Sequence, residues 1–302
     1  MKTAVLFPGQ GAQQEGFLRA LPLVPAVEET LQEASSFLSR DAREMDVGSA
    51  LSSTVTTQLA LTIAGVAFAR FLASEEIAVS AVAGMSVGAY SAAVAAGCID
   101  LASALHLVAL RARWMESVFP PGTRGMAVIE GLRLRAVEAL LEGTDATIAN
   151  YNTTSQYVIA GRLPELNALI ERAIEQGAYT AKLLRMSVAS HCTELMDAGA
   201  QLLEEARTRI FQRPQVTFYS SRTARVLMTE DAVREELALN MASPVRWNDT
   251  VVSMASTGVE CFLESPPGHT LTHLCAQIVP DATALAAADM RWDVVVRRAA
   301  RF

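Results

Sequence analysis

The spacing of apolar residues along the chain predicts an α/β protein. Short uninterrupted apolar runs, typical of strands buried on both faces of a sheet, occur at residues 3–7, 77–83, 216–219 and 259–263. Segments with helical apolar spacing lie between them, at residues 54–73, at 87–96 and from the candidate N-cap Asp100 to about Val118. Because strands and helices alternate, we expect the main sheet to be mostly parallel.

The pattern changes between residues 123 and 187, where a smaller unit is predicted. Its strands are expected at residues 126–130, 146–150, 156–160 and 179–186, and its helices at 132–141 and 163–176. This βαββαβ order is typical of a ferredoxin-like subdomain. We therefore predict a main body formed by residues 1–122 and 188–302, with residues 123–187 inserted into it.

Composition and charge exclude several classes of protein. The chain has 302 residues and a net charge of −7, the opposite sign from a dedicated nucleic-acid binder. Residues 77–99 carry no charge and are long enough to span a bilayer, but they are rich in Ala, Ser and Gly. A buried strand and helix explain that stretch better. With no signal peptide apparent, we expect a cytoplasmic protein without membrane contact.

The cysteines and histidines do not predict a metal site. One stretch resembles a zinc arrangement, since it contains Cys261, His269, His273 and Cys275. It lacks the acidic residue of the H-E-x-x-H type, and the residues before His269 predict a turn. We therefore interpret all four cysteines of the chain as reduced thiols and predict no bound metal.

The strongest chemical motif is the G-x-S-x-G at residues 84–88, placed between a predicted strand and a predicted helix. This is the context of a nucleophile elbow, in which glycines allow a sharp turn that exposes the serine hydroxyl. Ser86 is then the nucleophile, and the Val87 N–H at the helix start can donate to an oxyanion. The alternative is that Ser86 only caps the helix.

A nucleophilic serine needs a base, and His191 is the best placed of four histidines. It follows a predicted strand where the inserted subdomain returns to the main body, and loops at such junctions often carry function. His106 lies within a predicted helix and fits a core or surface position better.

Two further features can bind an anion. The loop at residues 7–13 fails the G-x-G-x-x-G pattern, because the third glycine is Gly16, but a glycine-rich loop after a strand can present a backbone N–H. Arg111 shares a helix face with apolar residues, so it needs a carboxylate partner or a route to solvent. A ligand carboxylate and an internal ion pair both remain open.

Together these features resemble the malonyl-CoA:acyl-carrier-protein transacylases over nearly the whole chain. Seven ordered motifs carry the resemblance, at residues 7–11, 84–88, 110–111, 149–152, 190–192, 243–247 and 267–268. The family fold implies an α/β-hydrolase-like body with a mostly parallel sheet and an inserted ferredoxin-like subdomain. The resemblance implies an acyltransferase with no bound cofactor, which uses malonyl-CoA and the prosthetic thiol of an acyl carrier protein.

The resemblance also assigns roles to single positions. Ser86 matches the family nucleophile and His191 its base. Arg111 matches the residue that binds the malonyl carboxylate. The oxyanion-hole N–H groups correspond to Gln10 and Val87, and the backbone carbonyl that orients the histidine corresponds to Asn240.

Within the family, the sequence looks most like the epsilon subunit of biotin-independent malonate decarboxylase. The segments at residues 18–22, 220–225 and 240–242 carry this likeness, which implies the other decarboxylase subunits as partners. Met85 and Ala89 depart from the usual His and Glu, and can alter acyl specificity. The alternatives are the transacylase of fatty-acid synthesis, a serine esterase or thioesterase, and a non-catalytic docking subunit.

Overall fold

The fold consists of two β-sheets and the helices that cover them, in a computed structural model that describes residues 2–120, 122–184 and 188–302. The strands are β1 Lys2–Phe7, β2 Ala81–Gly84, β3 Arg124–Glu130, β4 Thr147–Tyr151, β5 Gln156–Arg162, β6 Thr180–Leu183, β7 Thr217–Tyr219, β8 Val259–Glu264 and β9 Thr283–Ala286. The α-helices are α1 Pro25–Leu38, α2 Thr54–Ser74, α3 Gly88–Ala95, α4 Leu101–Val118, α5 Leu134–Leu141, α6 Leu163–Glu175, α7 Met196–Arg207, α8 Glu230–Leu239, α9 Trp247–Ser256, α10 Thr270–Ile278 and α11 Trp292–Ala299.

The larger sheet has five strands in the order β7-β2-β1-β8-β9, and all four strand pairs are parallel. The predicted α/β fold class is confirmed. The second predicted strand is shorter than expected, because residues 77–80 form the connection from α2, where the Ile77 N–H donates to the Leu72 carbonyl at 3.0 Å. Parallel strands end at the same sheet edge, so the loops after β1 and β2 lie side by side.

The smaller sheet is antiparallel, with the strand order β4-β5-β3-β6. Its strands and the helices α5 and α6 follow the predicted βαββαβ sequence, and apolar residues between sheet and helices form a separate core. The last strand ends at Leu183, whereas the prediction extended to Met186; residues 185–187 lie outside the described residues. This sheet is the small subdomain beside the parallel body.

The long apolar helix α2 lies inside the main body. Among the described residues, α2 is the single helix with the length and apolar composition needed to cross a membrane. However, 78% of its most apolar 18-residue segment is buried inside the protein. It packs against α1, α3 and α4. The uncharged stretch at residues 77–99 forms β2 and α3 in the core, as expected of a buried strand and helix.

Candidate active site

The nucleophile elbow is a tight turn between β2 and α3. Ser86 adopts the left-handed backbone conformation, with φ of 55°, which is uncommon for a residue with a side chain. A Cβ on Gly84 would lie 2.1 Å from the Gly88 carbonyl carbon, and a Cβ on Gly88 would lie 2.1 Å from the Phe7 carbonyl oxygen. Only glycine fits at these two positions, so the spacing of the motif follows from the close packing of strand, helix and β1.

His191 lies directly against the nucleophile. Its Nε2 is 2.9 Å from Ser86 Oγ, and its Nδ1 lies 2.7 Å from the Asn240 carbonyl oxygen and 3.0 Å from that of Ser243. A carbonyl can only accept, so the imidazole proton lies on Nδ1 and Nε2 is free to accept the serine proton. The carbonyl predicted at Asn240 is in place, and the second, from Ser243, was not predicted.

The His191 imidazole is neutral at physiological pH. The residue is 3% exposed, and burial, with the nearby positive charge of Arg111, lowers the pKa of its imidazole to about 4. Like Ser86, His191 has a positive φ, of 61°, and its N–H donates to the Met241 carbonyl at 2.7 Å. The local backbone therefore holds a base in its proton-accepting form beside a serine hydroxyl.

Arg111 places a fully buried positive charge next to Ser86. Its Nη1 donates to Gln58 Oε1 at 2.6 Å, and its Nη2 donates to Ser86 Oγ at 2.9 Å and to Asn240 Oδ1 at 3.4 Å. Burial lowers the pKa of Arg111 to about 10, so the guanidinium stays protonated at neutral pH.

The surroundings of Arg111 contain no neutralising anion. Its Nε has no hydrogen-bond partner, and no carboxylate of the described residues lies within 4.0 Å of the guanidinium. The predicted alternative of an internal ion pair is therefore absent from the described residues, and full burial excludes a stem that reaches solvent. An unneutralised buried cation beside a nucleophile attracts an anionic ligand.

Gln58 is a site residue that the sequence analysis missed. It lies on α2 with 1% of its surface exposed, accepts from Arg111, and its Nε2 is 3.5 Å from Gln10 Oε1. A glutamine within a helix that is apolar on all sides is a signal that could have identified it, because a buried amide needs polar partners.

The loop after β1 packs closely on the elbow. A Cβ on Gly9 would lie 2.9 Å from the Met85 carbonyl oxygen, and the Met85 N–H donates to the Phe7 carbonyl at 2.9 Å. Within the described residues the N–H groups of Gln10 and Val87 donate no hydrogen bond. Both residues line the same cleft as Ser86, and the oxyanion hole that they would form there stays a prediction.

A cleft of about 570 Å³ opens above Ser86 between the parallel body and the antiparallel sheet. Apolar side chains line it, from the elbow (Met85), from α4 (Met115) and from the antiparallel sheet and the residue after its last strand (Met126, Val128, Val158 and Leu184). Its described lining also includes six amide side chains, those of Gln10, Gln13, Gln58, Asn150, Asn152 and Gln156. The cleft can hold an extended, mostly apolar chain that carries a few amide groups.

The other predicted histidines and cysteines lie outside this arrangement. His106 Nε2 lies 3.0 Å from Glu205 Oε1 on α7, and the rings of His269 and His273 are 4.9 Å apart. All four cysteines are free and buried. Among the described residues, no group of three or more His, Cys, Asp and Glu side chains is placed to hold a metal ion.

Comparisons with known proteins identify the family of the chain. Residues 5–296 match the family described as the acyl transferase domain. The chain is 36% identical over 292 residues to the malonyl CoA-acyl carrier protein transacylase of Escherichia coli K12, covering 94% of each chain.

Solved structures show the same fold. The malonyl CoA-acyl carrier protein transacylase of Coxiella burnetii superposes with a TM-score of 0.94 at 30% identity, covering 100% of this chain and 97% of the other. A malonyl-transacylase solved in complex with a type II polyketide acyl-carrier protein gives a TM-score of 0.92 at 34% identity, covering 100% and 99%.

Proposed function

The chain belongs to the acyl transferase family, and from this premise we propose that it moves a malonyl group from malonyl-CoA to the thiol of an acyl carrier protein through an ester on Ser86. One observation carries the proposal: an unneutralised, buried Arg111 guanidinium lies within hydrogen-bond distance of a serine that also contacts a neutral histidine. A serine–histidine pair predicts acyl transfer, and the guanidinium selects an acyl group with a free carboxylate.

In the first half-reaction, His191 Nε2 takes the Ser86 proton while Oγ forms a bond to the thioester carbon. The developing oxyanion accepts hydrogen bonds from the N–H groups of Gln10 and Val87. The tetrahedral intermediate then expels the CoA thiolate, which takes the proton from His191. The products are free CoA and a malonyl ester on Ser86.

In the second half-reaction, His191 takes the proton of the carrier's prosthetic thiol, and the sulfur attacks the malonyl ester. Ser86 leaves and regains the proton, so the enzyme returns to its initial state. The malonyl group moves from the CoA thiol to Ser86 and then to the carrier thiol. The two substrates, malonyl-CoA and the carrier protein, therefore supply all the chemistry that the side chains do not, and no cofactor is needed.

Arg111 binds the malonyl carboxylate in this scheme. Its unpaired Nε and the Nη2 that contacts Ser86 in the free protein offer donors for a paired contact with a carboxylate. The same contact holds the thioester carbon near Ser86 Oγ, because malonate places its carboxylate two bonds from that carbon.

The finer proposal is that the carrier belongs to malonate decarboxylase, which makes the other subunits of that enzyme partners of this cytoplasmic protein. It is supported by the likeness at residues 18–22, 220–225 and 240–242. The competing assignment, a transacylase that supplies fatty-acid synthesis, uses the same residues with a different carrier, and the name of the Escherichia coli relative favours no particular carrier.

The experiment is intact-protein mass spectrometry after malonyl-CoA and then after each candidate carrier. We expect a malonyl adduct on Ser86 that is lost when the correct carrier is added, with the same mass gained by that carrier. An S86A variant is the control. Loss of the adduct to water at the same rate without carrier would identify a thioesterase, and absence of any adduct would identify a docking subunit.

A further inference from the structure

We infer that the side chain of Asn240 is a positioning residue that sets selectivity for a carboxylated acyl group, by holding the Arg111 guanidinium against the nucleophile elbow. The inference rests on the proposed malonyl transfer and deepens it. It concerns the Asn240 amide, whereas the expected role of this position involves only its backbone carbonyl.

The Asn240 amide bridges two parts of the site that come from distant segments. Its Nδ2 donates to the Ser86 carbonyl oxygen at 3.2 Å, and its Oδ1 accepts from Arg111 Nη2 at 3.4 Å. The orientation of the amide is dictated by chemistry, because a guanidinium only donates and a backbone carbonyl only accepts. With 2% of its surface exposed, Asn240 makes these contacts away from solvent.

The backbone of Asn240 is anchored independently of its side chain. Its carbonyl oxygen accepts from His191 Nδ1 at 2.7 Å and from the Ser243 N–H at 3.2 Å, in the 3₁₀ turn that follows α8. The preceding helix is tied to α3 by a hydrogen bond of 2.8 Å from Tyr90 Oη to the Leu237 carbonyl. A side-chain substitution therefore changes the contact with Arg111 while the histidine keeps its acceptor.

The chemical identity of this side chain determines what Arg111 can bind. A neutral amide orients Nη2 and leaves the positive charge unneutralised, so the charge is available to a substrate carboxylate. An aspartate at the same position has nearly the same shape but carries its own carboxylate. It would pair with the guanidinium internally and compete with the malonyl group.

The experiment compares N240D, N240A and N240Q by the rate of Ser86 acylation with malonyl-CoA and with acetyl-CoA. We expect N240D to lower kcat/KM for malonyl-CoA about 100-fold, mainly through KM, and acetyl transfer by less than about tenfold. N240A should lower the malonyl-to-acetyl ratio about tenfold, because Arg111 loses an orienting acceptor. N240Q keeps an amide and should retain most of the selectivity.

N248D is the matched control, since it makes the same chemical change on α9, outside the cleft, and should leave both rates unchanged. A malonyl-to-acetyl ratio that is unchanged in both N240D and N240A, with or without a loss of both rates, would overturn the inference. Thermal unfolding shows whether each variant folds. If N240D does not fold, the result for N240A decides. Malonylation of the wild-type Ser86 tests the proposed function separately.

Discussion

Two fully buried charges in this molecule have opposite surroundings. Glu236, on α8, accepts from Ser220 Oγ at 2.5 Å and from the Ser221 N–H at 3.1 Å, and Arg222 Nε lies 3.6 Å from its carboxylate. Among the residues that the structure describes, the Arg111 guanidinium has only neutral partners, and its Nε is unpaired. Both residues are 0% exposed.

The contrast predicts a structural role for the Glu236 carboxylate and a ligand-binding role for the Arg111 guanidinium. The Glu236 carboxylate closes the loop at residues 220–225 and has several donors around it, as a buried anion requires for stability. Arg111 contacts Ser86 and has no counter-ion in the described part of the chain, an arrangement that costs folding free energy and predicts affinity for an anion. Substitutions of the two residues should therefore change different properties of the protein.

The largest effect is expected for R111A. Malonyl transfer should fall about 1000-fold, because the variant loses a buried, charge-assisted contact with the acyl carboxylate. Acetyl transfer, which lacks that carboxylate, should be spared or increased. Kinetics with both acyl-CoA substrates measure the difference, and an equal loss for both would remove the carboxylate-binding role from Arg111.

For E236A we expect the complementary result, a loss of folding stability without a change of acyl selectivity. The free energy of unfolding should fall by about 2–4 kcal/mol, because buried donors around Ser220 and Ser221 lose their acceptor. Urea unfolding measures this loss. The malonyl-to-acetyl ratio of the folded variant should match the wild type, and a reduced ratio would contradict a purely structural role.

A smaller effect is expected for Q58L, which removes the shortest hydrogen bond of Arg111 while keeping a side chain of similar size. Malonyl transfer should fall about tenfold, since the guanidinium loses one of its orienting acceptors but keeps its charge. The matched control is Q32L, a glutamine on α1 that lies outside the cleft. If Q58L retained the wild-type rate, Gln58 would not orient Arg111.

The smallest expected effect is on the pH dependence. Because His191 acts as a base only when neutral and its pKa is lowered to about 4, kcat/KM should be constant above about pH 5 and fall at lower pH. After burial, the positive charge of Arg111 is the second cause of the lowered His191 pKa. In R111A the pH at which acetyl transfer falls off on the acid side should therefore be higher than in the wild type. If kcat/KM of the wild type instead fell with a midpoint near pH 6.5, His191 would not be a buried base with a lowered pKa.

The same depressed pKa predicts how stability depends on pH. Between about pH 6.5 and 4 the unfolded chain binds a proton on His191 that the folded chain does not, so folding stability should decrease as pH falls through this range. An H191Q variant should show a weaker decrease. Urea unfolding of both proteins at a series of pH values checks this expectation, and identical slopes would contradict it.

Much of the fold and several features of the site could be predicted because their signals are local. The elbow requires glycine on both sides of Ser86, and the strand–turn–helix context is visible within residues 77–96. The βαββαβ order follows from the apolar spacing, and the sheet order β4-β5-β3-β6 agrees with it. The start of the second strand was less accurate, since the apolar run begins in the connection from α2, four residues before β2.

Contacts between distant segments were not predictable in the same way. Gln58 and Arg111 are 53 positions apart, and Arg111 and Asn240 are 129 apart, so no local spacing indicates that they meet. The second carbonyl at His191, from Ser243, depends on the turn geometry of the 3₁₀ helix Asn240–Ala242. Gln58 lies on α2, Arg111 on α4, and Asn240 and Ser243 lie together in the turn after α8.

Local sequence patterns were enough to predict an α/β protein with a candidate serine nucleophile, a candidate base and an arginine on an apolar helix face. These features depend on backbone conformation and apolar periodicity over a few residues. The partners of Arg111 are visible only in the folded protein: among the described residues no carboxylate contacts its guanidinium, and its Nη2 contacts Ser86 Oγ and Asn240 Oδ1. Whether a charge is compensated depends on the side chains that packing brings within a few ångströms of it. Around the Arg111 guanidinium these side chains come from α2, the elbow and the turn after α8, which meet α4 only in the folded chain.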